Sequence, residues 1–230
     1  MSLRTNYIIL AARNFARKTG LINCLKATFG GRGYETRFDQ EFQQTIGVGD
    51  CVWDVGANIG YYTKQFVDRV GEGGSVVAFE PSPNNFSQLT KNCEGFANVY
   101  LHQCGLGEYN DSLLFEQGTD ELGATSRVVE NSKVGISVNI KTGESLILDG
   151  SVSMPNAIKI DVEGFEYEVL KGLGSILNNP SLHTVGIEIH FGILNERSMS
   201  NTPRLIEILL KSSNFKISWS DHSHLVAKRS

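Results

Sequence analysis

Short apolar runs of strand length alternate with amphipathic runs of helix length through most of this chain, and that alternation limits its fold more than any other feature. Residues 51–55, 75–80, 99–103, 157–161 and 184–190 read as strands, and residues 61–69, 84–93, 166–177 and 203–213 read as helices. A helix between two strands returns the chain to the same end of a sheet, so these strands pair in parallel. The texture changes between 112 and 148, where residues 113–115 and the alternating Ile136, Val138 and Ile140 read as antiparallel strands around a glycine-containing connection. The final runs, 215–219 and 224–227, are joined only by residues 220–223, which is a hairpin connection, so one strand must oppose the others. A mostly parallel twisted sheet with helices on both faces and a C-terminal antiparallel hairpin is expected.

At 230 residues the chain is long enough for one large core with an appendage, taking roughly 150 residues per domain. Residues 1–34 read as a basic helical extension and 35–230 as the main domain. In the extension Ile8, Ala11, Ala12 and Phe15 recur at helical spacing, and Arg4, Arg13, Arg17, Lys18, Lys26 and Arg32 all precede the first acid, Glu35. Such a helix suits packing on the core, cover for a substrate mouth, or weak contact with an anionic membrane. The run 7–12 is too short to span a bilayer and no clear cleavage site follows it, so a cytoplasmic location is expected. With 21 basic and 25 acidic residues the net charge is −4, which leaves no global positive field for a phosphate backbone, and no nucleic-acid partner is expected. Cys24, Cys51, Cys93 and Cys104 are scattered, with no C-x-x-C pair, and read as reduced, packed thiols.

The densest chemical signal is the turn Asp54-Val55-Gly56-Ala57-Asn58-Ile59-Gly60, between the first strand and the first helix. Gly56 and Gly60 allow a sharp turn and close approach of a ligand, Ala57 is small, and Asn58 tolerates a left-handed conformation. A G-x-G-x-x-G fingerprint would need glycines at Asn58 and Tyr61, and neither is present. Asp54 would repel a pyrophosphate, whereas it attracts the ammonium or sulfonium region of S-adenosylmethionine. Glu80 ends the second strand, followed by Pro81 and Ser82, and an acid there accepts from the two hydroxyls of a ribose. Gly105 and Leu106, after the third strand, take the position beside the adenine.

Three blocks, 52–63 around Asp-Val-Gly-Ala-Asn, 78–83 around Glu80, and 158–166 with Asp161-Val162-Glu163-Gly164, closely resemble the FkbM-type family of S-adenosylmethionine-dependent methyltransferases. Residues 188–190, Glu-Ile-His, resemble the family's later strand. The resemblance implies a class I Rossmann-like methyltransferase fold, S-adenosylmethionine as cofactor, and methyl transfer to oxygen on a small hydroxylated acceptor such as a sugar or natural product. The segment 141–148 departs from the family's usual Thr-Leu-Asp-like stretch, so the acceptor's identity is not carried over. A nicotinamide dehydrogenase is disfavoured by Asp54 and the missing glycines. Methylation of an amino group in a base is disfavoured because Asp161-Val162-Glu163-Gly164 stands where such enzymes have an Asp/Asn-Pro-Pro-aromatic block. Methylation of an amino group in another macromolecule such as a protein, and a module that binds the cofactor without turnover, are the remaining alternatives.

Asp161 and Glu163 follow the fourth strand at its carboxyl end, where open α/β sheets bind ligands. Glu188 and His190, two apart, are expected on one face of the next strand. His190 is the expected general base, because an imidazole titrates near neutral pH, with Glu188 orienting it and Asp161 and Glu163 positioning the acceptor or the cofactor ammonium. Glu166 reads as an acid complementing a helix dipole. Although Asp161, Glu163, Glu188 and His190 are types that bind divalent cations, no spacing demands one and no metal is expected. His222 and His224 read as residues of a solvated turn.

Overall fold

The computed structural model describes residues 35–116, 127–128 and 135–229. The predicted basic extension, 1–34, lies outside the described residues, as does Cys24. The chain begins with α1 (Glu35–Gln43), followed by β1 (Cys51–Val55), α2 (Tyr61–Val70), β2 (Ser75–Phe79), α3 (Pro83–Asn92) and β3 (Val99–His102). Next come β4 (Gly105–Leu106), β5 (Asp111–Glu116), β6 (Arg127–Val128), β7 (Ile136–Lys141), α4 (Gly143–Leu148) and β8 (Ala157–Ile160). The last elements are α5 (Glu166–Gly172), a 3-10 turn (Gly174–Asn178), β9 (Thr184–Glu188), α6 (Phe191–Glu196), α7 (Thr202–Ser212), β10 (Phe215–Trp219) and β11 (His224–Arg229).

Seven strands form one sheet in the order β10-β11-β9-β8-β1-β2-β3. The β9-β8-β1-β2-β3 ladders are parallel, while β11 opposes both β9 and β10. The hairpin therefore inserts its second strand, giving the single reversal expected from the short connection. β1 is buried along its whole length, as a central parallel strand covered on both faces must be. On one face Trp53, Phe79, Ile158, Ile160, Leu170, Leu173 and Ile176 pack together. The opposite face holds Phe38, Phe42 and Phe66 over Val52, Val76 and Val226. Gly186 of β9 lets α1 close on the sheet, since a Cβ there would stand 2.6 Å from the Phe42 ring. The expected antiparallel pairing of β5 with β7 is present, in a second sheet of order β4-β7-β5-β6. Among the described residues no helix is long and apolar enough to cross a membrane.

Most expected boundaries shift by one or two residues, and two departures have a clear physical cause. The helix predicted over 166–177 divides at Gly174, which takes φ +52° against the Glu144 carboxylate, and Ser175 N donates to Glu144 Oε1 at 2.9 Å. Capping from outside the helix outweighs its apolar periodicity. The strand predicted over 184–190 ends at Glu188, and His190 instead precedes α6 with its ring turned inward.

Candidate active site

The glycine turn leaves β1 at the carboxyl end of the sheet. Gly56 has φ +82°, and a Cβ on it would overlap the backbone carbonyl oxygen of Asp161, so the β1 and β8 ends meet at a position only glycine fits. Asn58 takes φ 51°. Gly60 has φ +89° at the start of α2, where a Cβ would press on Leu89 at 2.8 Å. The amides of Gly56 and Ala57 both donate to Phe79 O, at 3.0 Å each, and Asn58 N donates to Glu80 Oε2 at 2.9 Å. Three successive N–H groups of the turn are thus bonded to the chain itself.

Glu80 is fixed from both sides, because its other oxygen accepts from Ser82 N at 2.8 Å. Burial pushes its pKa up to about 7 against these two bonds. Ser82 also caps α3, and Pro81 lies beside Gly105, where an added Cβ would be 3.7 Å from the proline ring. The side chain of Leu106 is part of the main core, so only its backbone can face a ligand. Asp54 is fully enclosed, with Oδ2 accepting from Thr63 Oγ1 at 2.7 Å. Burial raises its pKa, opposed by Lys159 and Thr63. Among the described residues Asp54 Oδ1 and Asn58 Oδ1 are buried without a hydrogen-bond partner.

The second cluster gathers at the ends of β8 and β9. The His190 side chain is only 2% exposed, with Nδ1 2.7 Å from Glu166 Oε1. Its Nε2 is 3.4 Å from Glu163 Oε2, 3.6 Å from Asp161 Oδ1 and 3.9 Å from Glu188 Oε1. Burial opposes a positive charge on the ring, but Glu163, Glu166 and Glu188 outweigh it and hold the His190 pKa well above its ordinary value. All four acid and imidazole residues named from the sequence thus converge.

A family model described as the methyltransferase FkbM domain matches residues 54–217. The chain belongs to the FkbM methyltransferase family. It is 33% identical over 145 residues to the hexuronic acid methyltransferase AglP of Haloferax volcanii, covering 63% of this chain and 57% of that protein. The chain spans a little over half the length of the curated relatives it matches. Among solved structures, methyltransferase FkbM from Methylobacillus flagellatus superposes with a TM-score of 0.52 at 18% identity, over 78% of this chain and 43% of that one. Fibrillarin from Aeropyrum pernix, solved with bound S-adenosylmethionine, gives 0.51 at 14% identity, over 80% and 67%. These likenesses establish the Rossmann-like methyltransferase fold.

Within this FkbM domain several expectations need correction. Glu166, read as a partner of the helix dipole, is fully buried and is the residue that orients His190; Glu188 lies farther off, across the Nε2 edge. His222 is exposed, but His224 is buried: Nδ1 is 2.8 Å from Asp221 Oδ2 and Nε2 is 3.4 Å from Glu188 Oε2. Burial lowers the His224 pKa, yet Asp221 and Glu188 bring it up to about 9. The solvated-turn expectation fails because β11 enters the sheet, placing His224 opposite Glu188.

Two cations escaped notice in the sequence. Lys159, in the middle of β8, is buried with Nζ 3.3 Å from Asp161 Oδ2 and 3.7 Å from Asp54 Oδ1. Its position inside the apolar run 157–160 was the available signal. Arg197 stacks 4.2 Å from the Phe165 ring, donates to the Gly164 carbonyl and reaches Glu168 Oε1 at 3.1 Å, clamping the turn that carries Glu163. No local pattern marks it.

Proposed function

We propose that this chain transfers the methyl group of S-adenosylmethionine to a hydroxyl oxygen of a sugar, with a hexuronic acid as acceptor class. The observation that carries the proposal is the Glu80 carboxylate, fixed by Asn58 N and Ser82 N beside the Asp54 turn, at the same carboxyl end of the parallel sheet as the acid cluster of β8 and β9. The cofactor fits the residues present: Asn58 Oδ1 is a buried acceptor lacking a donor, which a hydroxyl supplies, Asp54 Oδ1 has no hydrogen bond and only the Lys159 ammonium at 3.7 Å, and Glu80 suits the ribose hydroxyls. When bound, S-adenosylmethionine supplies an electrophilic methyl group. The AglP relative, named for a hexuronic acid, supports the acceptor class.

Chain residues do the remaining work. Lys159 holds Asp161 through Oδ2, leaving Oδ1 toward the mouth, and Arg197 fixes the turn that presents Glu163. A hydroxyl is a poor nucleophile until it loses its proton, and here that proton passes to the carboxylates of the mouth. The test is incubation with methyl-13C cofactor and a panel of hexuronic acid and neutral hexose glycosides, followed by NMR correlation of the new methyl to its sugar carbon. An ether methyl on a hexuronic acid is expected. Correlation to nitrogen or to a carboxyl carbon would overturn the hydroxyl assignment, and tight cofactor binding with no labelled product across an acceptor library would make the chain a binding module.

A further inference from the structure

Cofactor residues account for the ends of β1 and β2, but methyl transfer alone gives no reason for three donor atoms of different residues to face one another beyond β8 and β9. Asp161, Glu163 and His190 each offer one ligand atom, a carboxylate oxygen from each acid and a ring nitrogen, and these atoms lie within 4.8 Å of one another. From Nε2 the two oxygens stand at 3.6 and 3.4 Å, outside the 2.7–3.2 Å of an N–H···O bond. Donor atoms bound to one first-row divalent ion at about 2.0–2.2 Å are separated by about 3.0–3.5 Å. Both distances from Nε2 lie closer to that range than to a hydrogen bond, and the two carboxylate oxygens are within 4.8 Å of each other.

A second, independent observation is the way the imidazole is held. With 2% exposure the ring has no room to swing, and its Nδ1 edge is tied to Glu166, itself fully buried and fixed by Gly164 N at 2.9 Å. A carboxylate only accepts, so the bond places a hydrogen on Nδ1 and turns Nε2 into the cluster, where a metal ion takes the place of the second ring proton. That is the carboxylate–histidine support found behind metal-bound imidazoles. Lys159 occupies Asp161 Oδ2 at 3.3 Å, so Oδ1 is the oxygen facing Nε2.

We propose that Asp161, Glu163 and His190 form a site for one divalent first-row transition-metal ion, with Glu166 as the positioning residue behind the histidine. One imidazole with two carboxylates favours ions such as Mn2+ or Zn2+ over Ca2+ and Mg2+. The Asp161 and Glu163 side chains are 27% and 25% exposed, so the remaining coordination positions open to the mouth. Those positions suit an acceptor with adjacent oxygens, a hydroxyl beside a carboxylate or a second hydroxyl. An ion there would offset Asp161, Glu163 and Glu188, which otherwise oppose an anionic sugar, and would ease loss of a proton from a bound hydroxyl.

The site goes beyond the methyl-transfer proposal, and its test uses neither cofactor nor acceptor. The full chain, stripped with a chelator, is titrated with Mn2+ alone while free Mn2+ is followed by electron paramagnetic resonance, and Zn2+ is then added in competition. One saturable Mn2+ site is expected, displaced by Zn2+ and little affected by Mg2+. Glu163→Gln and His190→Gln should weaken Mn2+ at least about tenfold, and Glu166→Gln by about 10-fold to 100-fold, with circular dichroism unchanged. Should His190→Gln fail to fold, Glu163→Gln at the half-open mouth still decides. No saturable Mn2+ or Zn2+ binding by a chain that binds S-adenosylhomocysteine, or binding unchanged by Glu163→Gln, overturns the site.

Discussion

Lys159 stands across the β1–β8 ladder from Asp54, and its Nζ lies 3.7 Å from Asp54 Oδ1 in a closed interior. Burial raises the Asp54 pKa, with Lys159 opposing the rise, and burial works against the charge on Lys159, which Asp161 and Asp54 outweigh to hold its pKa up. Lys159→Met would leave Asp54 with Thr63 alone, and removing one partner of a buried pair costs about 3–5 kcal/mol. Urea unfolding should show that loss for Lys159→Met, and substantial recovery when Asp54→Asn is added. A loss in the double variant equal to the sum of the Lys159→Met and Asp54→Asn losses would show that the pair is not coupled.

Glu80 makes stability and ligand affinity depend on pH in opposite directions. Its folded pKa of about 7 lies above the ordinary 4.5, so the folded chain binds the proton more tightly than the unfolded chain. The resulting stability is complete below pH 4.5 and is lost as pH rises through about 7, on the order of 3 kcal/mol in all. Glu80→Gln should remove that slope from thermal unfolding measured in this window. Ribose hydroxyls need the ionised carboxylate, so S-adenosylhomocysteine should bind more tightly at pH 8 than at pH 6. Glu80→Ala should weaken it by about 1–3 kcal/mol at pH 8 in titration calorimetry, and NAD should not bind.

Gly56 and Gly49 separate two costs of adding a methyl group. Both have positive φ, but a Cβ at Gly49 meets nothing within 4 Å, whereas one at Gly56 collides with the Asp161 carbonyl. Gly49→Ala should therefore cost about 1–2 kcal/mol, the conformational part alone. Gly56→Ala should cost clearly more in chemical denaturation, with S-adenosylhomocysteine binding lost as the β1 and β8 ends part.

Arg197 offers a test of the turn that carries Glu163. Lysine in its place keeps a charge but lacks the planar fork and the stacking on Phe165. Arg197→Lys should lower stability by about 1 kcal/mol and raise the acceptor KM several-fold, with S-adenosylhomocysteine affinity unchanged. A matching loss of cofactor affinity would place Arg197 in support of the other half of the site.

What could be read from the sequence followed the range of the interactions involved. The Asp54–Gly60 turn and Glu80 are local patterns at the ends of adjacent strands, and they meet through backbone bonds such as Asn58 N to Glu80 Oε2. The reversed strand was legible because residues 220–223 are too few for anything but a hairpin. Partners set by sheet register were harder. Asp54 with Lys159, and Glu188 with His224, become neighbours only once β1 lies beside β8 and β11 beside β9. Glu166 was misread for a related reason, since an acid in a first helical turn looks the same whether it faces solvent or a buried imidazole.

The place of β11 also bears on how the chain assembles. β10 is made first but has no neighbour in the main sheet until β11 arrives, because β11 lies between β9 and β10. A nascent chain ending just after β10 would leave β9 as an open parallel edge, with its amides and carbonyls ready to pair elsewhere. Closing that edge also brings His224 against Phe38 of α1, 4.7 Å between ring centroids, and against Glu188 at the mouth. The same late event therefore seals the sheet, seats an element from the start of the described chain and delivers the second histidine, so a slip in hairpin register would disturb folding and chemistry together.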